Sequence, residues 1–161
     1  MVAGIFMMIS PAAAKECDPW IEPLEDRIKR HEGVQKCVYD DIYGNPTIGV
    51  GHLLKKPVPE NLCWKIKKIN ATLAQDLERA RDGARHDFGD GWHLQPVLAR
   101  DVLTEMAFWI GPGALSHFNR FLSLTRAGRY QDAAADLLTT KLARQVPART
   151  RELACLLRNV K

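Results

Sequence analysis

The sequence predicts an α+β fold: one helix, a small antiparallel sheet, then a helical bundle, with a cleft between the two lobes. Three observations predict it. Apolar residues take helical spacing from Trp20 onward; Gln35 to Leu54 is rich in β-branched and aromatic residues broken by glycine, asparagine and proline; and helical spacing returns at Ile66 and persists. With 161 residues, 46% hydrophobic and 26% charged, the chain suits one domain, and a disordered or collagen-like chain is excluded. No apolar stretch reaches the ~18–20 residues that a helix needs to cross a bilayer. No internal repeat is visible.

The first helix begins at Trp20, with Ile21, Leu24 and Ile28 on its stripe. The next place on that stripe is Glu32, a carboxylate where an inward apolar residue is expected, and Gly33 stops the helix. Val38, Tyr39, Ile42, Tyr43, Thr47, Ile48 and Val50, punctuated by Gly44, Asn45, Pro46, Gly49 and Gly51, then predict the sheet with tight turns. After the proline-rich linker Lys56–Pro59, Ile66, Ile69, Leu73, Leu77 and Ala80 predict a helix with Asp76 on its apolar face. Leu94, Val97, Leu98, Val102, Met106 and Trp109 form a further stripe, ended by Gly111-Pro112-Gly113. Leu115, Phe118 and Leu122 form the next, stopped near Gly128, and Tyr130, Ala133, Ala134, Leu137 and Leu138 another. Pro147 opens the last helix, with Leu153, Leu156 and Leu157 inward.

The net charge is +4; residues 1–80 are balanced and the excess lies wholly in residues 81–161. Such a surface favours a polyanion: nucleic acid, an anionic membrane face or an acidic wall polymer. No basic cluster interleaved with aromatics and no helix-turn-helix, RNA-recognition or zinc-finger pattern is present, so nucleic acid is the weaker choice. Cys17, Cys37, Cys63 and Cys155 contain no CxxC pair and no zinc-type spacing, so no metal is expected. They either form two disulfides in an oxidising compartment or are small buried hydrophobes. Met1–Ala14 carries no charge and ends in small residues, like the apolar region and cleavage site of a secretory signal, but it lacks a leading Lys or Arg and Pro11 interrupts it. Residues 1–17 are therefore set apart as an export or tethering segment or a frayed terminus, and residues 18–161 as the folded domain.

Three polar residues gather around the predicted sheet: Glu32, Asp41 and Thr47. Glycoside hydrolysis needs an acid for the leaving oxygen and a second polar centre across the sugar. A Glu whose ionised form is disfavoured by apolar surroundings can hold its proton near neutral pH, while Asp41, among turn residues, stays ionised.

The residues HEG at 31–33, YDD at 39–41 and NPTIGVGH at 45–52 carry a Glu-x8-Asp-x5-Thr signature that resembles the phage lysozymes (endolysins) of glycoside hydrolase family 24, the T-even-phage type. The resemblance continues through Gln75-Asp76-Leu77, Trp109-Ile110-Gly111, Arg129–Ala134 and Gln145–Arg149, and covers roughly residues 20–160. It implies a lysozyme-like fold, a small sheet lobe joined by a long helix to a mainly helical lobe. It implies a monomeric, cofactor-free enzyme that cleaves peptidoglycan between N-acetylmuramic acid and N-acetylglucosamine with inversion. The implied setting is the bacterial periplasm or cell wall during host lysis, and the apolar Met1–Ala14 segment would allow transient membrane association through the N-terminus.

Carried over by position, Glu32 is the catalytic acid, against the plainer reading of a surface residue at a helix end. Asp41, which the spacing selects over Asp40, and Thr47, otherwise an ordinary strand residue, hold water or stabilise the transition state. His52 and Asp76 match a structural ion pair, in which a protonated histidine meets an inward carboxylate. Arg149 matches an arginine that tethers the catalytic Glu, against a solvated residue at a helix start. Glu105 stands where relatives usually carry Asn; a like charge raises a carboxyl pKa, the arginine lowers it, and the balance is left open. Trp109, Phe118 and Tyr130 are expected in the core. The alternatives are a lytic transglycosylase, which needs no positioned water, and a non-catalytic cationic protein that binds wall or membrane.

Overall fold

The structure, a computed structural model, describes residues 21–111 and 113–161. The expectations for residues 1–17, including the terminal segment and Cys17, lie outside them, as does Trp20. The first helix, α1, spans Leu24–Glu32 rather than starting at Trp20. Pro23 at its N-cap holds ψ at 142°, and Ile21 is left outside the helix, 44% exposed. Glu25 and Asp26 in the first turn and Lys29, Arg30 and His31 in the last complement the helix dipole. Gly33, at φ 76°, turns the chain away and returns its N–H to the Lys29 carbonyl at 2.9 Å, so Glu32 is the last helical residue.

The predicted sheet is present as β1 (Gln35–Asp40), β2 (Pro46–Gly49) and β3 (His52–Leu53), antiparallel in the order β1-β2-β3. The central strand β2 is buried along its length, whereas β1 is largely exposed. Tyr39 pairs with Thr47 and Thr47 with Leu53, so these three side chains form a row across one face. Ile48 points to the other face and into the core. The free edge of β1 is covered by residues 62–64, through Val38 N–H to Leu62 O at 2.9 Å and Trp64 N–H to Lys36 O at 2.7 Å. Between those bonds Cys37 and Cys63 form a disulfide. None of the described cysteines is free, which favours the paired alternative.

From the sheet the chain enters α2 (Ile66–Phe88), 23 residues and about 35 Å long. Ile69, Leu73 and Leu77 on its first half pack with Leu24, Ile28 and Val50 in one core. Ala84 and Phe88 on its second half join the larger helical core. One continuous helix thus carries both lobes. Its first residue, Ile66, is exposed, and Ala80 is only half-buried.

The helical lobe follows as α3 (Val97–Ile110), α4 (Asn119–Arg126), α5 (Tyr130–Leu137), α6 (Lys141–Gln145) and α7 (Pro147–Arg158). The stripe expected from Leu94 is corrected at its start. Gln95 precedes Pro96 and is extended, at ψ 138°, so Leu94 belongs to a separate 3-10 turn and both it and Val97 are exposed. The buried face of α3 is Ala99, Val102, Leu103, Met106 and Ala107. Likewise Leu115 lies in a 3-10 turn, Ala114–His117, that Phe118 separates from α4. Helix α6, with no buried residue, is an element that periodicity did not reveal. Helix α7 opens on Pro147 as expected, with Leu153, Leu156 and Leu157 inward. No described helix is long and apolar enough to cross a membrane.

The Cys37–Cys63 bridge closes a loop of 26 residues that contains both Asp41 and Thr47. Cross-linking a loop of that length restricts the unfolded chain by about 3 kcal/mol. The double replacement Cys37→Ser/Cys63→Ser is expected to lower stability by about that amount and thermal unfolding by several degrees, measured by calorimetry.

Candidate active site

At the end of α1, the Glu32 side chain is 27% exposed, and its Oε1 accepts a hydrogen bond from Arg149 Nη1 at 2.6 Å. Its setting is therefore a partly open ion pair and not the apolar pocket expected from the stripe. The other oxygen, Oε2, faces the β2–β3 turn: a Cβ placed on Gly51 would lie 4.0 Å from it. At φ 69° that position favours glycine on conformational grounds as well.

Arg149 is buried at the start of α7 and lies with its guanidinium 4.7 Å from the Trp109 ring centroid. Trp109 is thus half-buried beneath an arginine instead of lying in the core, and Phe118 and Tyr130 are half-buried against the helical core. The Arg149 Nε reaches Glu105 Oε1 at 3.2 Å. Glu105 is fully buried, and its Oε2 holds Arg27 Nε at 2.5 Å. His31 Nδ1 lies 3.2 Å from Glu105 Oε1, off the line of an aligned hydrogen bond. Burial alone would raise the Glu105 pKa, but His31, Arg27 and Arg149 together outweigh it and hold the carboxyl below its ordinary range. At Glu105 itself the cations prevail.

The hairpin beyond β1 is built on Asp41. Its Oδ1 accepts the backbone N–H of Tyr43 at 2.8 Å and of Asn45 at 2.9 Å, and Oδ2 accepts the Asn45 side-chain amide at 3.2 Å. The Asn45 backbone N–H foremost, with the Asn45 side chain and the Tyr43 N–H, keeps its pKa below the ordinary value despite some desolvation. Thr47 is only 3% exposed and donates its hydroxyl to the Asn45 carbonyl at 3.1 Å. Burial raises the pKa of Tyr39, paired opposite Thr47, and the charges of Glu32 and Asp41 raise it further. Both carboxylates thus act on one phenol, on the sheet face that carries Thr47.

His52 and Asp76 are together, with His52 Nδ1 2.8 Å from Asp76 Oδ2. Burial, with the charges of Arg79 and Lys68, lowers the His52 pKa and so disfavours the protonated form. Arg79 supplies the countercharge to Asp76 Oδ1. The pair lines a cavity of about 410 Å³ with Gly51, Leu53, Ala80 and Phe108. Gly51 is common to this groove and to the surroundings of Glu32, and Leu53 to the groove and the Thr47 row. Among the described residues no group of three or more His, Cys, Asp or Glu is arranged to hold a metal ion.

Three members of the network were missed: Arg27, His31 and Glu152, which receives His31 Nε2 at 2.9 Å. Leu24, Arg27, Ile28, His31 and Glu32 follow the i, i+3, i+4, i+7, i+8 pattern of one helix face. Arg27 and His31 therefore stood at inward positions, readable as such.

The model of the family described as Phage lysozyme matches residues 29–157. The chain is also similar to the Pre-baseplate central spike protein Gp5 of Enterobacteria phage T4, 28% identical over 132 residues, or 68% of this chain and 23% of that protein. It is similar to Probable T4-type lysozyme 2 of Dictyostelium discoideum, 25% identical over 153 residues, or 81% of this chain and 90% of that protein. The chain spans about a quarter of the spike protein and nearly all of the second relative. Glu32 and Arg149 fall inside the family match; Arg27 lies just before it.

Removing one partner of a buried ion pair strands the other charge, at a cost of about 3–5 kcal/mol. Glu105→Ala is expected to destabilise by that amount in urea unfolding. Adding Arg27→Met should recover about 1 kcal/mol or more of it, because the stranded guanidinium is then gone.

Proposed function

The chain belongs to the phage lysozyme family, and on that premise we propose that it is a muramidase. It hydrolyses the β-1,4 bond between N-acetylmuramic acid and N-acetylglucosamine in bacterial peptidoglycan. Glu32 is the general acid, Asp41 and Thr47 act on the water, Arg149 and Glu105 support the acid, and His52 with Asp76 is structural. The observation that carries this reading is the division of labour at Glu32: Oε1 is held by Arg149 at 2.6 Å, and Oε2 faces the Gly51 turn beside the groove.

In the reaction, Glu32 Oε2 gives its proton to the bridging oxygen as the bond from C1 of N-acetylmuramic acid to that oxygen breaks. Positive charge develops at C1, and Arg149 stabilises the carboxylate left on Glu32. Water attacks C1 from the opposite face, which inverts the configuration. Its protons are directed to Asp41 and to the Thr47 oxygen, whose own proton is committed to the Asn45 carbonyl. Asp41 is suited to this because its hydrogen bonds keep it ionised and fixed. The Cys37–Cys63 disulfide supports action outside the reducing cytoplasm, at the periplasmic face of the wall, in host lysis by a monomer whose catalytic unit is residues 18–161.

Glu32→Gln keeps the shape and removes the transferable proton. It is expected to lower release of reducing sugar from purified peptidoglycan by 10²-fold or more while thermal unfolding is retained. Mass spectrometry of the wild-type products decides the chemistry. Fragments heavier by one water and with a free reducing end support hydrolysis; anhydro-muramic ends indicate a transglycosylase. Undiminished cell killing by Glu32→Gln indicates a non-catalytic cationic protein.

A further inference from the structure

His31 precedes the acid by one residue, and its ring stands between two carboxylates contributed by different helices. Nε2 lies 2.9 Å from Glu152 Oε2 on α7, and Nδ1 lies 3.2 Å from Glu105 Oε1 on α3. A neutral imidazole carries one proton, so either tautomer would set a lone pair against a carboxylate oxygen at one of those distances. Only the doubly protonated ring puts a proton and positive charge toward each, as a hydrogen bond to Glu152 and as an ion pair, off the line of a bond, to Glu105. We propose that His31 is the positioning residue of this site: its imidazolium clamps the end of α1 to α3 and α7 and keeps Glu32 on Arg149. This rests on the hydrolytic reading above.

The charges that face His31 are Glu105 from α3, Glu152 and Arg149 from α7, and Arg27, Arg30 and Glu32 from its own helix. Foremost among them, the Glu105 contact raises the His31 pKa; burial opposes this, Glu152 adds to it, and the Arg149 charge opposes it. Arg149 Nε and His31 Nδ1 meet the same oxygen, Glu105 Oε1, each at 3.2 Å. Loss of the His31 proton therefore leaves Arg149 as the sole cation on that oxygen and draws it toward Glu105 in competition with Glu32. The same loss removes the ionic part of the His31–Glu152 contact and leaves Arg30 as the cation of α1 on Glu152. Because the folded pKa is raised, the clamp is complete below the ordinary imidazole range and is lost as pH rises through the folded value. The alkaline limb of activity then belongs to His31.

The test pairs two titrations of the full chain. The His31 ring is followed by NMR with 13C-labelled histidine, its signal assigned by its absence in His31→Gln. Turnover on purified peptidoglycan is followed over the same pH range, with kcat and KM separated. In the wild type, kcat should fall with a midpoint that coincides with the His31 titration and lies above the ordinary imidazole value, with KM little changed. In Glu152→Gln both midpoints should move down together by about one pH unit, because one of the two anions is gone. An ordinary His31 midpoint, or a kcat midpoint that stays in place while that of His31 moves, overturns the proposal. If the wild type releases no sugar, the hydrolytic reading fails. The clamp is then still decided by whether the Arg149 Nε–H resonance follows the His31 titration and shifts with it in Glu152→Gln.

Discussion

A single carboxylate, Glu105, holds the two lobes of this chain in register. It is buried without any exposed surface, where an isolated charge would be untenable, and it persists because Arg27, His31 and Arg149 converge on it. Those cations come from α1 and α7, and Glu105 itself from α3. Apolar packing gives each lobe its core, but packing is indifferent to small rotations, whereas convergent charge-assisted contacts are directional. The end of α1, and with it Glu32, is placed by this polar contact.

The sheet hairpin is set by different means. The turn after β1 is wrapped around the Asp41 carboxylate, and the strand register puts Thr47 beside Tyr39 and Leu53. Residues 62–64 and the Cys37–Cys63 bridge cover the strand that leads into that turn. Because α2 runs unbroken through both cores, the sheet and α1 share one rigid axis. The groove lined by Gly51, His52, Leu53, Asp76 and Phe108 is built on strand, turn and helix elements anchored to that axis rather than on free loops, which suits chemistry that depends on distance.

Much of this was legible in the sequence, and for identifiable reasons. Periodicity and the glycine and proline punctuation gave the element order, because amphipathic faces and turns are local properties. Boundaries slipped where a turn intervened, as at Pro96 and Phe118, and five-residue α6 buries nothing that could mark it. Glu32, Arg149 and Glu105 were read as neighbours, and they are. Arg27 and His31 escaped although they occupy inward positions, since their partners lie 78 and 121 residues away in Glu105 and Glu152. The His52–Asp76 contact was foreseen, but not the lowering of the His52 pKa, which depends on burial and on Arg79 and Lys68.

Arg149 divides its nitrogens, Nη1 to Glu32 and Nε to Glu105. An arginine buried against one carboxylate alone would be orphaned each time that carboxylate took up a proton. Here a permanent anchor remains at Glu105, so the proton transfer proposed for position 32 would strand no cation in the interior. The second contact makes the first one reversible.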